Sequence, residues 1–281
     1  MPVVLPSLAQ ARRFFPFYLR ANTLYDVHSP LVVSFIREVL EDDRQYYAFP
    51  TIEAYRKSLR ENRNVLSIRD YGAGSQTNRS RQRPISELAQ AISVSPRLGR
   101  LLFRLVRWHQ PNQMLELGSA LGISGMYQAA AAPSASFTTI EGNPETAQFT
   151  ARQFPQIGLP QVEVLSGTFE QVLPQYLADR PPLDYLFIDG DHRLSPTISY
   201  VRQCRPHMPA NALIAIADIY WSPEMQQAWR YLQKLPGVTL SIDLFEIGLL
   251  WFRLDIRQPL HLRLVPRWWK PWRLGLGRPA Y

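Results

Sequence analysis

Three acidic residues are the side chains of this sequence best suited to chemistry. They are Glu116, Glu141 and Asp189, and each lies at the end of an apolar segment that has the pattern of a buried strand. The carboxyl ends of parallel strands meet at one edge of a sheet, so we expect the carboxylates to flank one crevice. Carboxylates would repel the pyrophosphate of a dinucleotide, whereas they suit a ligand with positive charge and free hydroxyls.

A glycine-containing turn follows the first of these acids. The chain runs from an apolar segment at 114–117 through a turn from Gly118 to Gly122 into a helix-forming run at 123–132. Without a Cβ, the two glycines let the backbone turn sharply and approach a bound molecule. The stretch therefore predicts a nucleotide-like cofactor, and Glu141, about one β-α-β unit later, is placed to accept ribose hydroxyls.

These segments resemble the class I S-adenosylmethionine-dependent methyltransferases, most of all the bacterial O-methyltransferase-like branch related to catechol O-methyltransferase. The matching text lies at 116–122, 140–144 and 187–192, and the resemblance covers roughly 86–255. S-adenosylmethionine carries a cationic sulfonium and ammonium, which agrees with acidic strand ends. The resemblance implies S-adenosylmethionine as the cofactor and O-methylation of a small-molecule acceptor.

The resemblance also implies roles for individual residues. Glu141 would bind the ribose, while Thr168 and Phe169 would border the adenine. The methionine part of the cofactor would lie against the turn that begins at Glu116. The full cofactor-binding set implied in this way is Glu116, Gly118, Ser119, Gly122, Glu141, Gly142, Thr168, Phe169 and Asp189.

Asp189 and His192 are the residues predicted to be catalytic. His192 stands where relatives have a lysine, and an imidazole that titrates near neutral pH suits a general base, although it could instead hold a loop. In metal-dependent relatives an Asp and an Asp-Asn pair bind a divalent cation. Asp189 and Asp218 match two of these positions, but Ile219 takes the Asn position and offers no ligand. A metal centre is therefore the less favoured outcome.

From residue 112 onward, strand and helix patterns alternate, which predicts a parallel sheet with right-handed crossovers. The segments 238–243 and 245–254 are too close together for a crossover helix, so they should form a hairpin. With the resemblance, this predicts a Rossmann-like three-layer α/β sandwich. Its sheet would be mostly parallel and seven-stranded with an antiparallel last strand, and an N-terminal helical extension would precede it.

The predicted organisation is an N-terminal helical cap region at 1–85, a methyltransferase domain at 86–255 and a C-terminal tail at 256–281. Within the cap region, a Gly-x-Gly turn at 70–75 either caps the crevice or lies on the surface. If it caps the crevice, it could hold an anionic group with Arg79, Arg81 and Arg83. His28 is read either as a pocket residue or as a local hydrogen-bonding residue.

Composition bounds the location and the partners of the chain. The single cysteine, Cys204, excludes a disulfide framework within one chain and favours a reducing, cytoplasmic setting. No apolar run reaches the length that a bilayer-spanning helix needs. The formal charge of +8 should attract anionic surfaces.

Residues 257–281 contain no acidic residue and interleave basic residues with Trp268, Trp269 and Trp272. Such a tail can pack back on the domain or contact an anionic membrane surface, and nucleic-acid binding is the least favoured use. Two other classes of function stay open. One is a catalytically idle module that binds a membrane or a partner through this tail. The other is a nicotinamide oxidoreductase, which Glu116 and the hairpin disfavour.

Overall fold

The computed structural model describes residues 8–68, 81–256 and 258–273 of the chain. The helices are α1 (Leu8–Arg20), α2 (Pro30–Phe35), α3 (Ala48–Glu61), α4 (Ile85–Ala91), α5 (Pro96–His109), α6 (Ile123–Ala131), α7 (Pro144–Gln156), α8 (Phe169–Asp179), α9 (Leu194–Cys204) and α10 (Pro223–Leu232). The strands are β1 (Val65–Ile68), β2 (Arg81–Pro84), β3 (Gln113–Leu117), β4 (Ser136–Glu141), β5 (Val162–Ser166), β6 (Tyr185–Ile188), β7 (Leu213–Ala217), β8 (Leu240–Asp243), β9 (Ile247–Trp251) and β10 (Leu260–Arg263).

Eight strands form the central sheet in the order β10-β8-β9-β7-β6-β3-β4-β5, while β1 and β2 pair separately. β3 lies between β4 and β6 and is parallel to both. The strand order therefore reverses at β3, and in open α/β sheets ligands bind outside the carboxyl ends of the strands at such a point. The predicted α/β class is confirmed, and the predicted crevice stays a prediction that this strand order favours.

The predicted hairpin is formed by β8 and β9, which pair antiparallel. β9 also pairs antiparallel with β7, so the antiparallel strand lies inside the sheet. The predicted count of seven strands is wrong, because β10 adds an eighth strand parallel to β8. It comes from the segment read as a tail. Its alternating Leu260 and Leu262 pack against the core and cover an edge of β8 that would otherwise expose unpaired backbone groups.

Helices cover both faces of the sheet, which gives the three layers. Along β3 the side chains alternate, so that Met114 packs toward α5 and α6 while Leu115 and Leu117 pack in the core beneath α8, α9 and α10. All residues of β3, β6, β7 and β9 are buried, as strands between two helical layers must be. Glu116 alternates onto the α6 side, within this apolar layer.

The N-terminal helices pack on the α5 and α6 side of the sheet. The ring of Phe49 on α3 lies 5.1 Å from that of Phe103 and 5.8 Å from that of Tyr127. The Tyr55 hydroxyl is 3.4 Å from the Leu121 carbonyl oxygen, so α3 also contacts the glycine turn. Within the N-terminal region that was predicted to be helical, α2 is followed directly by a turn of π-helix over Ile36–Leu40, and α3 comes after it.

The chain after β10 returns to α1. The ring of Trp269 packs against Phe14 with centroids 5.9 Å apart. Lys270 is buried, and its Nζ donates to the Ala21 carbonyl at 2.6 Å, at the C-terminal end of α1. Trp268 and Trp272 stay exposed, at 53% and 60%. Residues 274–281 lie outside the described part, as does Arg257. Among the described residues, no helix combines the length and the apolar character needed to cross a bilayer.

Lys270 should hold the end of the chain to α1. We expect Lys270→Met to lower the free energy of unfolding by about 2 kcal/mol, because a buried cation that donates to backbone carbonyls is lost. Urea denaturation measures this change. Trp268→Ala, two residues away and exposed, is the matched control and should change stability by about 0.5 kcal/mol or less. Equal effects of the two substitutions would contradict the described packing.

Candidate active site

The glycine turn joins the ends of two neighbouring strands. Gly118 has φ +104°, and a Cβ at this position would lie 2.6 Å from the carbonyl oxygen of Asp189. Only glycine lets the end of β3 approach the end of β6 this closely. Gly122 has φ +81° and precedes the first residue of α6. The predicted strand, turn and helix are therefore present, and Gly118 and Asp189 meet at one point.

Glu141 holds this turn through its carboxylate. Its Oε2 accepts the backbone N–H of Ala120 at 2.8 Å, and its Oε1 accepts that of Asn143 at 2.9 Å. Burial raises the pKa of Glu141, and these two hydrogen bonds oppose the shift. Each carboxylate oxygen has a second lone pair. The Ser119 side chain and the Gly142 backbone also interact with this carboxylate, and each of its oxygens can accept more than one hydrogen bond, as ribose hydroxyls would require.

Glu116 has a different position from the one expected of a residue in the crevice. It is fully buried, and its carboxylate accepts hydrogen bonds from Thr139 Oγ1 at 2.7 Å and from Gln128 Nε2 at 3.0 Å. Burial raises the pKa of Glu116 to about 7. The structure thus places its carboxylate behind the glycine turn, in the layer between β3 and α6.

Asp189, His192 and Asp218 lie together beyond the ends of β6 and β7. His192 Nε2 is 4.0 Å from Asp189 Oδ1 and 3.7 Å from Asp218 Oδ2. Burial raises the pKa of Asp189, and the neighbouring Asp218 carboxylate raises it further. Burial also raises the pKa of Asp218, whereas His192 lowers it. Two acids and one imidazole thus face one another in the half-buried space where a proton could be transferred.

Phe169 closes another side of the crevice. A Cβ on Gly190 would lie 2.9 Å from its ring, so the ring packs directly over that glycine. The ring also meets Tyr200 edge to face, with centroids 5.4 Å apart. The backbone N–H of Gly167 donates to the Glu141 carbonyl at 3.0 Å, which brings Thr168 and Phe169 beside β4. Both residues therefore border the crevice that Glu141 flanks.

Sequence reasoning missed a polar cluster beside this site. Arg193 pairs with Asp191, and the Tyr200 hydroxyl lies 3.0 Å from Asp191 Oδ2 and 2.7 Å from Glu170 Oε1. The cluster fixes the segment between Asp189 and α9. Asp191 lies two residues after Asp189 in the sequence, but no local pattern links it to Tyr200 or to Glu170 on α8.

The remaining residues considered in the sequence are His28, the Gly-x-Gly turn with its arginines, and Cys204. His28 is exposed. β1 lies beside the Glu141 edge, because the Ser67 carbonyl accepts from Asn143 Nδ2 at 3.0 Å and the Ser67 N–H donates to Glu145 at 2.7 Å. The Gly-x-Gly turn at 70–75 and Arg79 lie outside the described residues, so the role predicted for them stays a prediction. Cys204 is buried on α9, and burial raises the pKa of its thiol to about 12, as for a packing residue.

The acidic cluster offers a metal ion two carboxylates and one imidazole. Asp189, His192 and Asp218 can each present one ligand atom within 4.8 Å of the others. Ile219 is fully buried and has no ligating atom. Magnesium and calcium prefer shells built from oxygen, and an imidazole is a poor substitute there. The residues present therefore do not fit the hard-cation site of metal-dependent relatives.

Comparisons with known proteins agree with this geometry. Residues 115–219 match a family model described as a methyltransferase domain. Catechol O-methyltransferase of Niastella koreensis is 36% identical over 104 residues, which is 36% of this chain and 47% of that protein. Catechol O-methyltransferase of Bos taurus is 32% identical over 135 residues, or 46% of this chain and 50% of that protein. The chain thus spans about half the length of these curated relatives.

Solved structures share the fold at low sequence identity. The O-methyltransferase from Bacillus cereus in complex with S-adenosylhomocysteine superposes with a TM-score of 0.54 and 16% identity, over 84% of this chain and 99% of that one. TomG from Streptomyces achromogenes in complex with S-adenosylmethionine has a TM-score of 0.53 and 18% identity, over 79% and 96%. At such identities the likeness shows the fold.

The buried carboxyl of Glu116 should make stability depend on pH. Its pKa is 4.5 in the unfolded chain and about 7 in the folded one. Below a pH of 4.5 the carboxyl is protonated in both states, so its contribution to the free energy of unfolding is fully present there. That stabilisation is lost as the pH rises through about 7. Glu116→Gln does not titrate and keeps its stability as the pH rises between these two values. We therefore expect the native chain to lose about 3 kcal/mol in its free energy of unfolding relative to Glu116→Gln over this pH window.

Urea denaturation at a series of pH values measures this difference. Glu61→Gln is the matched control, because the Glu61 side chain is 67% exposed and pairs only weakly with Lys57 at 4.0 Å. The control difference should stay nearly constant with pH. If the difference between Glu116→Gln and the native chain also stayed constant with pH, folding would not raise the pKa of Glu116, and the prediction would be contradicted.

Proposed function

We propose that the chain transfers a methyl group from S-adenosylmethionine to an oxygen of a small molecule, because residues 115–219 match a methyltransferase domain and the chain is similar to catechol O-methyltransferases over about half of their length. One observation carries the proposal. The carboxylates of Glu141, Asp189 and Asp218 are arranged around a glycine turn at the point where the strand order reverses.

The donor set of the crevice suits this cofactor. Glu141 would accept the ribose hydroxyls through the lone pairs that Ala120 and Asn143 leave free. Asp189, which is costly to ionise where it lies, would be stabilised as a carboxylate by a cationic group beside it. Phe169 offers an aromatic face at the edge where the adenine would bind. Gly118, Ser119 and Gly122 would supply the turn against the methionine part, and Gly142 the backbone after Glu141.

Bound S-adenosylmethionine supplies an activated methyl group with a good leaving group. The chain has to position the acceptor hydroxyl in line and remove its proton. We assign proton removal to His192, whose Nε2 faces both Asp189 and Asp218. The acceptor O–H bond breaks as the new O–CH₃ bond forms and the S–CH₃ bond breaks. The proton is left on Nε2, where the two carboxylates stabilise the imidazolium.

No metal ion takes part in this proposal, because the cluster does not fit a hard cation. The nicotinamide alternative has less support, since an oxidoreductase would place a pyrophosphate beside the acids of this crevice. The idle-module alternative has no support from the comparisons. The reducing setting expected from the single cysteine stays a prediction.

Substitution of His192 tests the proposed base. We expect His192→Gln to lower kcat for transfer of a labelled methyl group by about a hundredfold or more, the usual contribution of a general base. The dissociation constant of S-adenosylhomocysteine, measured by calorimetry, should stay the same. Catechol and simple phenols are the acceptors to screen first, given what the curated relatives are named for.

His207→Gln is the control, because His207 lies in the turn after α9 and has no role in the site. EDTA should leave the activity unchanged. Loss of activity with EDTA, restored by a divalent cation, would instead assign Asp189, His192 and Asp218 to a metal. Unchanged kcat in His192→Gln would remove the base assignment while leaving methyl transfer itself intact.

We also propose that the surface formed by Trp268 and Trp272 contacts an anionic membrane. Both indoles are more than half exposed, at 53% and 60%. The side chain of Arg267, directly before them, is 48% exposed but pairs with Glu41 at 3.4 Å, so charge attraction comes from the formal charge of +8 on the chain as a whole. Indole rings favour the membrane interface. Trp269 and Lys270 instead pack against α1, so only part of this segment is available for such contact.

The double substitution Trp268→Ala/Trp272→Ala tests this contact by sedimentation with vesicles. We expect binding to vesicles of phosphatidylcholine and phosphatidylserine to weaken by about tenfold, because two indoles no longer enter the interface. Tyr47→Ala, which removes an aromatic ring that is 74% exposed directly before α3, should leave binding unchanged. Equal binding by the double variant and the native chain would contradict the proposal.

A further inference from the structure

A cavity of about 290 Å³ lies between α1, α10 and the edge of the sheet formed by β8 and β10. None of the residues assigned to methyl transfer lines it. Its walls carry five arginines, which come from three separate parts of the chain, and one carboxylate, that of Asp243. The arginines are Arg12, Arg13, Arg20, Arg230 and Arg263.

Asp243 cannot neutralise this charge. It is 1% exposed, and its oxygens already accept the backbone N–H of Phe245 at 3.0 Å and the Tyr220 hydroxyl at 2.8 Å. Arg263 Nε lies 3.6 Å from Asp243 Oδ2 and is the one arginine paired with it among the described residues. Four guanidinium charges of the cavity therefore have no carboxylate partner in the described part of the chain.

Neutral contacts hold some of these guanidinium groups in place without cancelling their charge. Arg13 Nη1 donates to the carbonyls of Tyr220 at 2.9 Å and Trp221 at 2.5 Å. Arg230 Nε donates to the Gln226 carbonyl at 3.1 Å. Like charges gathered in this way repel one another, and an anion bound between them would relieve that repulsion. The fixed orientations reduce the entropy that binding would cost.

We propose that this cavity binds a ligand through a phosphate group. Guanidinium groups match phosphate oxygens with paired hydrogen bonds, and several of them converge here. The volume is at the lower end for small-molecule sites, which suits a phosphate with a small substituent. The proposal is independent of methyl transfer.

Two sources can supply this phosphate. One is a free phosphorylated small molecule. The other is the headgroup of an acidic phospholipid, because α1 also exposes Phe15 and Leu19, at 62% and 58%. Both sources share the same contacts with the arginines, and they differ in whether a bilayer is needed for binding.

A triple variant, Arg12→Gln/Arg20→Gln/Arg230→Gln, tests the cavity in the full chain. Its matched control, Arg37→Gln/Arg60→Gln/Arg152→Gln, removes the same charge from exposed positions elsewhere. Inorganic phosphate is titrated by calorimetry at constant ionic strength. In parallel, binding to vesicles of phosphatidylcholine alone and of phosphatidylcholine with phosphatidic acid is measured by sedimentation. If the triple variant does not fold, Arg20→Gln alone replaces it.

We expect the cavity variant to weaken binding of phosphate, of phosphatidic acid vesicles or of both by about tenfold or more, and the control to change it little. Loss confined to phosphate identifies a soluble ligand, whereas loss confined to the acidic vesicles identifies a lipid headgroup. Absence of binding by the native chain to either probe would overturn the proposal. Equal losses in the two variants would also overturn it, because they would show general charge attraction.

Discussion

The close approach between the glycine turn and the end of β6 is the constraint on which the site depends. A Cβ at Gly118 would lie 2.6 Å from the Asp189 carbonyl oxygen, so no other residue allows the two backbones to meet there. That contact brings Asp189 beside the turn. On the opposite side, the hydrogen bond from Ala120 to Glu141 attaches the same turn to β4. The strands on either side of β3, β4 and β6, thus deliver their acids to one crevice.

Burial separates the roles of acids that look alike in the sequence. Glu141 is held by backbone N–H groups at the surface of the crevice and keeps acceptor capacity. Glu116, two residues before Gly118, is enclosed by Thr139 and Gln128, and burial raises its pKa to about 7. We infer that Glu116 supports the turn from behind, and that the acids meeting the ligand are those at the strand ends proper.

The sequence predicted those parts of the structure that depend on a few consecutive residues. The turn from Gly118 to Gly122 needs glycine at positive φ, and the hairpin of β8 and β9 follows from a connection too short for a helix. Both are confirmed. β10 was missed because the alternation of Leu260 and Leu262 is short and lies next to basic residues and tryptophans that suggested a tail.

Contacts between residues that are far apart in the sequence could not be predicted from any local pattern. The contacts of Tyr200 with Asp191 and Glu170 join a loop to two helices, and the arginine cavity joins α1, α10 and β10. The buried position of Glu116 was readable in principle, because it alternates with Leu115 and Leu117 onto the α6 face. The prediction gave more weight to the position of Glu116 near the end of a strand than to that alternation.

The central claim is that acids at neighbouring strand ends select a positively charged adenosyl compound over a phosphate-bearing dinucleotide. Calorimetric titration of the native chain with S-adenosylmethionine and, separately, with NAD tests it most directly. We expect saturable binding of S-adenosylmethionine and no binding of NAD at the same concentrations. Binding of NAD with equal or higher affinity would contradict it.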